Sequence, residues 1–365
     1  MRPDLKFPFY AKASLVFIGL IAFISVMYIA QEIIIPLIYA TIIAVVLSPA
    51  VNYLARKRFS RPVAISLVLL TVMLCTILVI GLLSSQLMEF TESFPALIEK
   101  FNQISKETVA WASENFNIST RKINLWVAAK KTDMIAGGNS SLGQTILNTG
   151  NVLVVLILIP VYVFMILYYQ PLLLEFLHRL FKSGDHSEVD SVLSRIKKVI
   201  QSYLVGLLLE ALIVAILNSA ALLLLGIDYA ILLGVIGAIL NVIPYIGGLI
   251  AVALPMMIAL ATKESNTYCL LVLGAYFVIQ LIDNNYIIPK VVASKVKINA
   301  LASIVVVIAG GALWGLAGMF LSIPLIAIIK VIFDQVEPLK PWGYLLGDTM
   351  PSFPGLRHYF KSIVK

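Results

Sequence analysis

Two long stretches without a charged residue constrain the fold of this chain more than any other feature. They are Tyr229–Thr262, of 34 residues, and Ile298–Ile329, of 32 residues. A straight helix of about 33 residues would be roughly 50 Å long, whereas the hydrocarbon core of a bilayer is about 30 Å thick. Neither stretch therefore fits a single straight crossing of a membrane.

Each stretch is also interrupted near its middle by residues that disfavour helix. The first contains Pro244-Tyr245-Ile246-Gly247-Gly248, and the second contains Gly310-Gly311-Ala312-Leu313-Trp314-Gly315. Non-helical backbone at membrane depth is tolerated only against protein or along a water-filled cavity. A matched pair of interrupted apolar segments is typical of the binding site of a secondary transporter.

The composition places the chain among membrane proteins, because 60% of its residues are hydrophobic and only 13% are charged. A soluble domain carries roughly 25% charged residues. The N-terminus resembles a signal peptide, but no cleavage pattern follows and a second apolar run begins at Ile33, which favours an uncleaved first span. No cofactor or metal site is expected, since the three histidines lie in separate hydrophilic stretches.

The net charge of +8 is interpreted as a sign of membrane topology and not of nucleic-acid binding. Twenty of the 27 Lys and Arg residues fall in five segments: the N-terminal tail, 56–61, 179–198, 290–297 and the C-terminal tail from Lys330. Basic loops face the cytoplasm. Placing all five segments there predicts an inner-membrane protein with both termini in the cytoplasm.

This constraint predicts an all-α polytopic fold with six full spans at 13–31, 33–54, 62–84, 151–170, 203–225 and 266–288. The corresponding regions are the N-terminal spans (1–84), an extracytoplasmic helical insertion (85–150), a span with a cytoplasmic amphipathic helix (151–200), a transport core (201–335) and a cytoplasmic tail (336–365). The lysines at 290–297 stay cytoplasmic only if 229–262 is a re-entrant hairpin. The C-terminal tail then stays cytoplasmic if 298–329 is a second hairpin of opposite orientation. The alternative is two overlong, kinked spans, which makes eight spans in all.

Polar residues at membrane depth are candidates for function, because inserting an ionisable side chain costs roughly 2.5–3.5 kcal/mol. Glu210 and Asp283 are predicted to couple transport to a proton or sodium ion. Side-chain amides and the backbone freed at the two breaks are predicted to bind a small polar solute. The residues of this second group are Asn218, Asn241, Pro244, Tyr245, Gly247, Gly248, Gln280, Asn284, Asn285, Gly311, Trp314 and Gly315.

Each prediction has a structural alternative. Glu210 would reach water if it lay near the inner interface, and Asp283 would close the cytoplasmic end if it paired with Lys290. Amides within spans commonly serve as hydrogen bonds between helices. The glycines would then serve close helix packing, and the aromatic residues Tyr245 and Trp314 would be packing residues.

Three motifs resemble those of the autoinducer-2 exporter family of bacterial membrane proteins. They are Asn241-Val-Ile-Pro-Tyr-Ile-Gly-Gly248, Asp283-Asn-Asn-Tyr-Ile-Ile-Pro-Lys-Val-Val292 and Gly310-Gly-Ala-Leu-Trp-Gly-Leu-Ala-Gly318 with Ile323-Pro324. The resemblance implies a homo-oligomeric inner-membrane protein that moves small solutes or ions without ATP. It also implies either autoinducer-2 export or sodium/proton exchange. Glu210 departs from the neutral polar residue expected at its position, which bears on ion coupling.

The leading hypothesis is therefore a secondary transporter that exports a small polar solute, with the lipid bilayer, the solute and Na+ or H+ as its partners. The alternatives are a sodium(lithium)/proton antiporter, a channel and a non-transporting scaffold that uses 85–150 to bind partners. The sequence contains no phosphate-binding loop and no metalloprotease or serine-hydrolase motif, which argues against an ATPase or an enzyme.

Overall fold

The computed structural model describes residues 8–116, 149–180, 186–243, 247–263, 265–292 and 298–349. Every regular element in these ranges is helical. Pro244, Tyr245, the insertion beyond Phe116 and the tail beyond Thr349 were part of the sequence predictions and lie outside the described residues.

The described residues form eleven α-helices. They are α1 (Phe9–Ile29), α2 (Gln31–Arg56), α3 (Arg61–Phe116), α4 (Thr149–Tyr168), α5 (Gln170–Leu180), α6 (His186–Leu224), α7 (Ala230–Asn241), α8 (Gly247–Thr262), α9 (Thr267–Ile282), α10 (Ala300–Gln335) and α11 (Lys340–Leu346). Between α9 and α10 the chain continues as a π-helix, Asp283–Val292, and a 3₁₀ turn, Glu337–Leu339, precedes α11.

Within the described ranges, six helices are long and apolar enough to cross a membrane, and a pair bent by 63°, Ile157–Tyr168 with Gln170–Leu180, would make a seventh. The mean hydropathy of these helices is high and their outward faces carry large apolar side chains, which suits a lipid environment. The predicted class, an all-α multi-pass membrane protein, is confirmed.

The first charge-free stretch folds back on itself between α7 and α8. Ala230 and Ala259 belong to the same buried cluster, although a straight helix would separate them by about 44 Å. The two ends also meet, since a Cβ placed on Gly226 would lie 3.8 Å from Nζ of Lys263. The fold-back predicted for 229–262 is confirmed.

The second stretch folds back within α10. Trp314 (φ −135°, ψ 20°) and Gly315 (φ 60°, ψ −141°) leave helical geometry, and the latter conformation favours glycine. The hydroxyl of Ser322 lies 3.0 Å from the carbonyl oxygen of Val306, where a straight helix would give about 24 Å. The two arms of α10 therefore pack antiparallel, as predicted.

Asn299 fixes the two ends of this second hairpin side by side. Its side-chain oxygen caps α10 by accepting from the backbone N–H of Ala302 (2.8 Å). Its amide nitrogen donates to the carbonyls of Leu345 (2.7 Å) and Gly347 (3.0 Å) at the end of α11. The chain thus enters and leaves this hairpin on the same side of the molecule.

Two helices run further than the sequence predicts. The third span continues without a break to Phe116, so the described part of the insertion extends the span itself. The basic amphipathic segment continues from His186 directly into the fifth span, ending at Leu224. Neither Gly nor Pro occurs between 186 and 205, so nothing in the local sequence ends the helix at its predicted boundary.

Candidate functional site

A cavity of about 730 Å³ lies between α6, the turn from α7 to α8, α9 with its π-helical extension, and α10. Its size falls within the range of about 300–1,000 Å³ that is typical of small-molecule sites. Apolar side chains form most of the wall, and polar groups from four separate segments converge on it. The polar residues are Tyr203, Glu210, Asn241, Tyr276, Gln280, Asp283, Asn284 and Ser303.

The polar face of α9 reaches the cavity as its spacing predicts. Gln280, Asp283 and Asn284 lie at i, i+3 and i+4 and all three line the wall. Helical winding changes at Asp283, where the π-helix begins and continues past Pro289. Such wide turns within helices frequently occur at functional sites. Asn285 lies outside the cavity wall as far as the structure describes it, and its amide donates to the carbonyl of Leu281 (2.8 Å).

Glu210 projects from the middle of α6 into the same cavity, and only 5% of its surface is exposed. This burial argues against the alternative in which its carboxylate reaches water at the inner interface. Glu210 and Asp283 are close enough to interact electrostatically. The cavity therefore brings together the two carboxyl groups that the sequence singled out.

Among the described residues, Asp283 is bound by Asn241 of the first hairpin and by no lysine. The amide nitrogen of Asn241 donates to Oδ2 of Asp283 at 2.9 Å. Lys290 instead lies over the ring of Tyr286, 6.0 Å from its centroid. The geometry thus favours a site residue over the alternative in which Asp283 pairs with Lys290.

The turn between α7 and α8 depends on two glycines. A Cβ on Gly247 would lie 2.0 Å from the carbonyl oxygen of Leu240, so the chain turns too tightly for any side chain. A Cβ on Gly248 would lie 2.7 Å from Oε1 of Gln280, and Gly248 itself lines the cavity. The turn therefore brings backbone within reach of any molecule in the cavity.

The break in the second hairpin lies away from this cavity. Trp314 donates from its indole nitrogen to the carbonyl of Met27 in α1 (3.0 Å), and Gly311 packs against Met319. Gly311, Trp314 and Gly315 are absent from the cavity wall in the described part of the chain. The second hairpin contributes Ser303 and Ile323 from its arms instead.

Asn218 enters a second, smaller cavity of about 10 Å³ beside the first. Asn241, Tyr276, Gln280 and Asp283 line both cavities. Asn218 is almost fully buried, with 2% of its surface exposed. It therefore belongs to the polar cluster but not to the larger chamber.

The sequence predictions missed three polar residues of the site: Tyr203, Tyr276 and Ser303. Tyr276 lies four residues before Gln280 and seven before Asp283, so helical spacing places it on the same face. Tyr203 stands seven residues before Glu210, with the same relation. Both could have been found by extending each polar face by one or two helical turns.

Comparison with known proteins finds relatives that are named as transport proteins. "Putative transport protein YhhT" of Escherichia coli K12 is 24% identical over 91% of this chain and 93% of its own length. The "AI-2 transport protein TqsA" of the same organism is 25% identical over 87% of this chain and 90% of its own length. "Putative transport protein YueF" of Bacillus subtilis is 24% identical, with 90% and 89% covered. The profile of the AI-2E family transporters matches residues 17–337, and the chain therefore belongs to that family.

Proposed function

We propose that this protein is a secondary transporter of the bacterial inner membrane that exports a small polar solute of the autoinducer-2 kind, driven by a proton or sodium gradient. The observation that carries the proposal is the 730 Å³ cavity, which is lined by two carboxyl groups and three amides within a membrane domain. Membership of a transporter family favours transport over catalysis.

The chemistry of the wall suits a small hydroxylated or carbonyl-containing molecule. Side-chain amides at Asn241, Gln280 and Asn284 offer both donors and acceptors, so they can bind hydroxyl and carbonyl groups of a solute. Apolar residues such as Val252, Leu273 and Ile288 line the remaining surface and would contact its carbon skeleton. A relative named for AI-2 transport supports this class of solute.

Glu210 and Asp283 are the proposed coupling groups. Two carboxyl groups in one low-dielectric cavity repel each other when both are charged, and binding of a proton or a cation relieves that repulsion. A solute that binds close to these carboxyl groups changes their electrostatic surroundings and hence their affinity for the ion. The affinities for solute and ion are therefore thermodynamically linked.

The two hairpins are the proposed gates, and the distribution of basic residues supports both termini in the cytoplasm. Hairpins that enter from opposite sides provide two barriers, of which one opens at a time. A homo-oligomer is proposed from the family resemblance alone.

Transport by purified full-length protein in liposomes tests the proposal. Labelled autoinducer-2 should move when a pH or sodium gradient is imposed, and protein-free liposomes should show no such flux. Asp283→Asn and Glu210→Gln should remove most of the gradient-driven flux, whereas Asp228→Asn in the exposed loop before α7 should retain it. Full flux in both cavity variants would refute the coupling role.

A sodium(lithium)/proton antiporter is the second candidate, and the small polar cavity beside the main chamber favours it. Sodium-dependent proton movement without any organic solute would identify an antiporter. A scaffold without transport activity would show neither flux in the same preparation.

A further inference from the structure

Three buried oxygen atoms around the smaller cavity lack a hydrogen-bond partner among the described residues. They are Oδ1 of Asn218, the hydroxyl oxygen of Tyr276 and Oδ1 of Asp283. The exposed fractions of these residues are 2%, 7% and 0%. Buried polar atoms nearly always have a hydrogen-bond partner, so three exceptions around one cavity indicate a ligand that binds them.

Asn218 of α6 and Tyr276 of α9 meet over Gly237 of α7, and Asp283, at the start of the π-helix, lines the same cavity. A Cβ on Gly237 would lie 3.2 Å from Nδ2 of Asn218 and 3.4 Å from the hydroxyl of Tyr276. Asn241, one turn further along α7, holds the other oxygen of Asp283 at 2.9 Å. The lack of a side chain at Gly237 therefore leaves space for a ligand, and Asn241 orients the carboxylate of Asp283. The ligating groups of metal sites are commonly oriented by such second residues.

We propose that this cavity is a site for a single dehydrated monovalent cation of the sodium or lithium class, bound by Asn218, Tyr276 and Asp283. This inference rests on the proposed function, because it locates the coupling ion of that transporter. The smaller cavity, of about 10 Å³, has room for one ligand of about the size of a water molecule.

The three ligating atoms and their net charge suit a monovalent cation. All three atoms are oxygens, the ligands that hard cations prefer. Asp283 is the only carboxylate on the wall of the small cavity as described, since Glu210 lines only the larger one. One negative charge is neutralised by a monovalent cation, whereas a divalent cation would leave an excess charge buried.

The position of the site explains how the ion would influence the solute. Asp283 lines both cavities, so cation binding changes the net charge that the larger chamber presents. Glu210 stays in the larger chamber. The two carboxyl groups therefore have separate roles: Asp283 binds the cation, and Glu210 responds to the solute.

The test is thermal unfolding of the purified full-length protein in detergent, with LiCl, NaCl or KCl replacing N-methylglucamine chloride at constant ionic strength. A ligand of the folded state raises the unfolding temperature in a concentration-dependent, saturable way. We expect this rise with sodium or lithium. Tyr276→Phe and Asn218→Leu should each weaken the apparent affinity by about tenfold or more.

Gly237→Ala tests the site without removing any ligand. The added methyl group enters the cavity, whereas alanine is the better helix former, so stability without sodium should persist while the sodium response disappears. Gly274→Ala on α9 is the matched control, because a Cβ there meets nothing within 4 Å. Tyr286→Phe, at an exposed tyrosine, is the control for Tyr276→Phe.

The outcomes separate this inference from the proposed function. Absence of any cation response, which would mean that a water molecule fills the cavity, overturns the inference. A response unchanged in Tyr276→Phe, Asn218→Leu and Gly237→Ala also overturns it. Autoinducer-2 flux measured on the same protein reports the proposed function: flux without a cation response refutes only the ion site, and a cation response without flux refutes only the solute.

Discussion

The side-chain amide of Asn241 donates a hydrogen bond to Oδ2 of Asp283 at 2.9 Å. This contact joins the last residue of α7, where the first hairpin turns, to the first residue of the π-helix that follows α9. The two residues are separated by 42 positions in the chain, and both line the larger and the smaller cavity. The contact therefore links the proposed gate to the proposed coupling group.

Asn241→Ala should destabilise the protein and impair coupled flux. Removing the donor leaves a second oxygen of the buried Asp283 without a partner, at a cost of about 1–3 kcal/mol. The midpoint of thermal unfolding and the gradient-driven flux measure the two effects. If the variant unfolds and transports as the parent does, the contact has no role in either property.

Asn284→Ala and Asn285→Ala should differ although the residues are neighbours. Asn284 lines the cavity, whereas Asn285 lies outside the cavity wall as described and its amide donates to the carbonyl of Leu281. We expect Asn284→Ala to raise the solute concentration required for half-maximal flux and Asn285→Ala to leave it unchanged. Equal effects of the two substitutions would contradict the cavity as the solute site.

Gly247→Ala and Gly274→Ala should change stability in opposite directions. A Cβ at position 247 would lie 2.0 Å from the backbone oxygen of Leu240, an overlap that costs about 1–3 kcal/mol or more. A Cβ at position 274 meets nothing within 4 Å, and alanine favours a helix interior by roughly 0.5–1 kcal/mol. Thermal unfolding of both variants checks the sign.

Asn299→Ala should lower the unfolding temperature because one side chain both caps α10 and ties it to α11. Loss of a cap typically costs about 0.5–2 kcal/mol. Asn285→Ala, which removes a single exposed hydrogen bond, is the control. Equal stability of the two variants would show that the tie between α10 and α11 contributes little.

The orientation of the two hairpins is tested by labelling single cysteines in a background without Cys75 and Cys269. Asp228→Cys and Ser265→Cys flank the first hairpin and should react from the periplasmic side, since both ends of that hairpin lie together. Asp348→Cys, after the second hairpin, should react from the cytoplasm. Labelling of positions 228 and 265 from opposite sides would exclude the re-entrant arrangement.

Much of the architecture is present in the sequence as local information. The length of an uncharged run and the Gly and Pro residues within it require breaks in Tyr229–Thr262 and Ile298–Ile329, whatever the surroundings. Helical spacing likewise places Gln280, Asp283 and Asn284 on one face. The local sequence also allowed α6 to extend beyond its predicted boundary, because neither Gly nor Pro occurs between 186 and 205, whereas α3 continues to Phe116 although it contains Pro95.

Contacts between helices were decided only by the tertiary structure. Spacing along one helix says which residues share a face, but the packing of helices distant in sequence selects the face that meets the cavity. Helix packing places Asn218 of α6 and Tyr276 of α9 on the same cavity as Asp283. It places Trp314 against α1, away from the larger cavity. The sequence by itself thus determined the spans, the breaks and the polar residues, and packing alone decided which of those residues form a site.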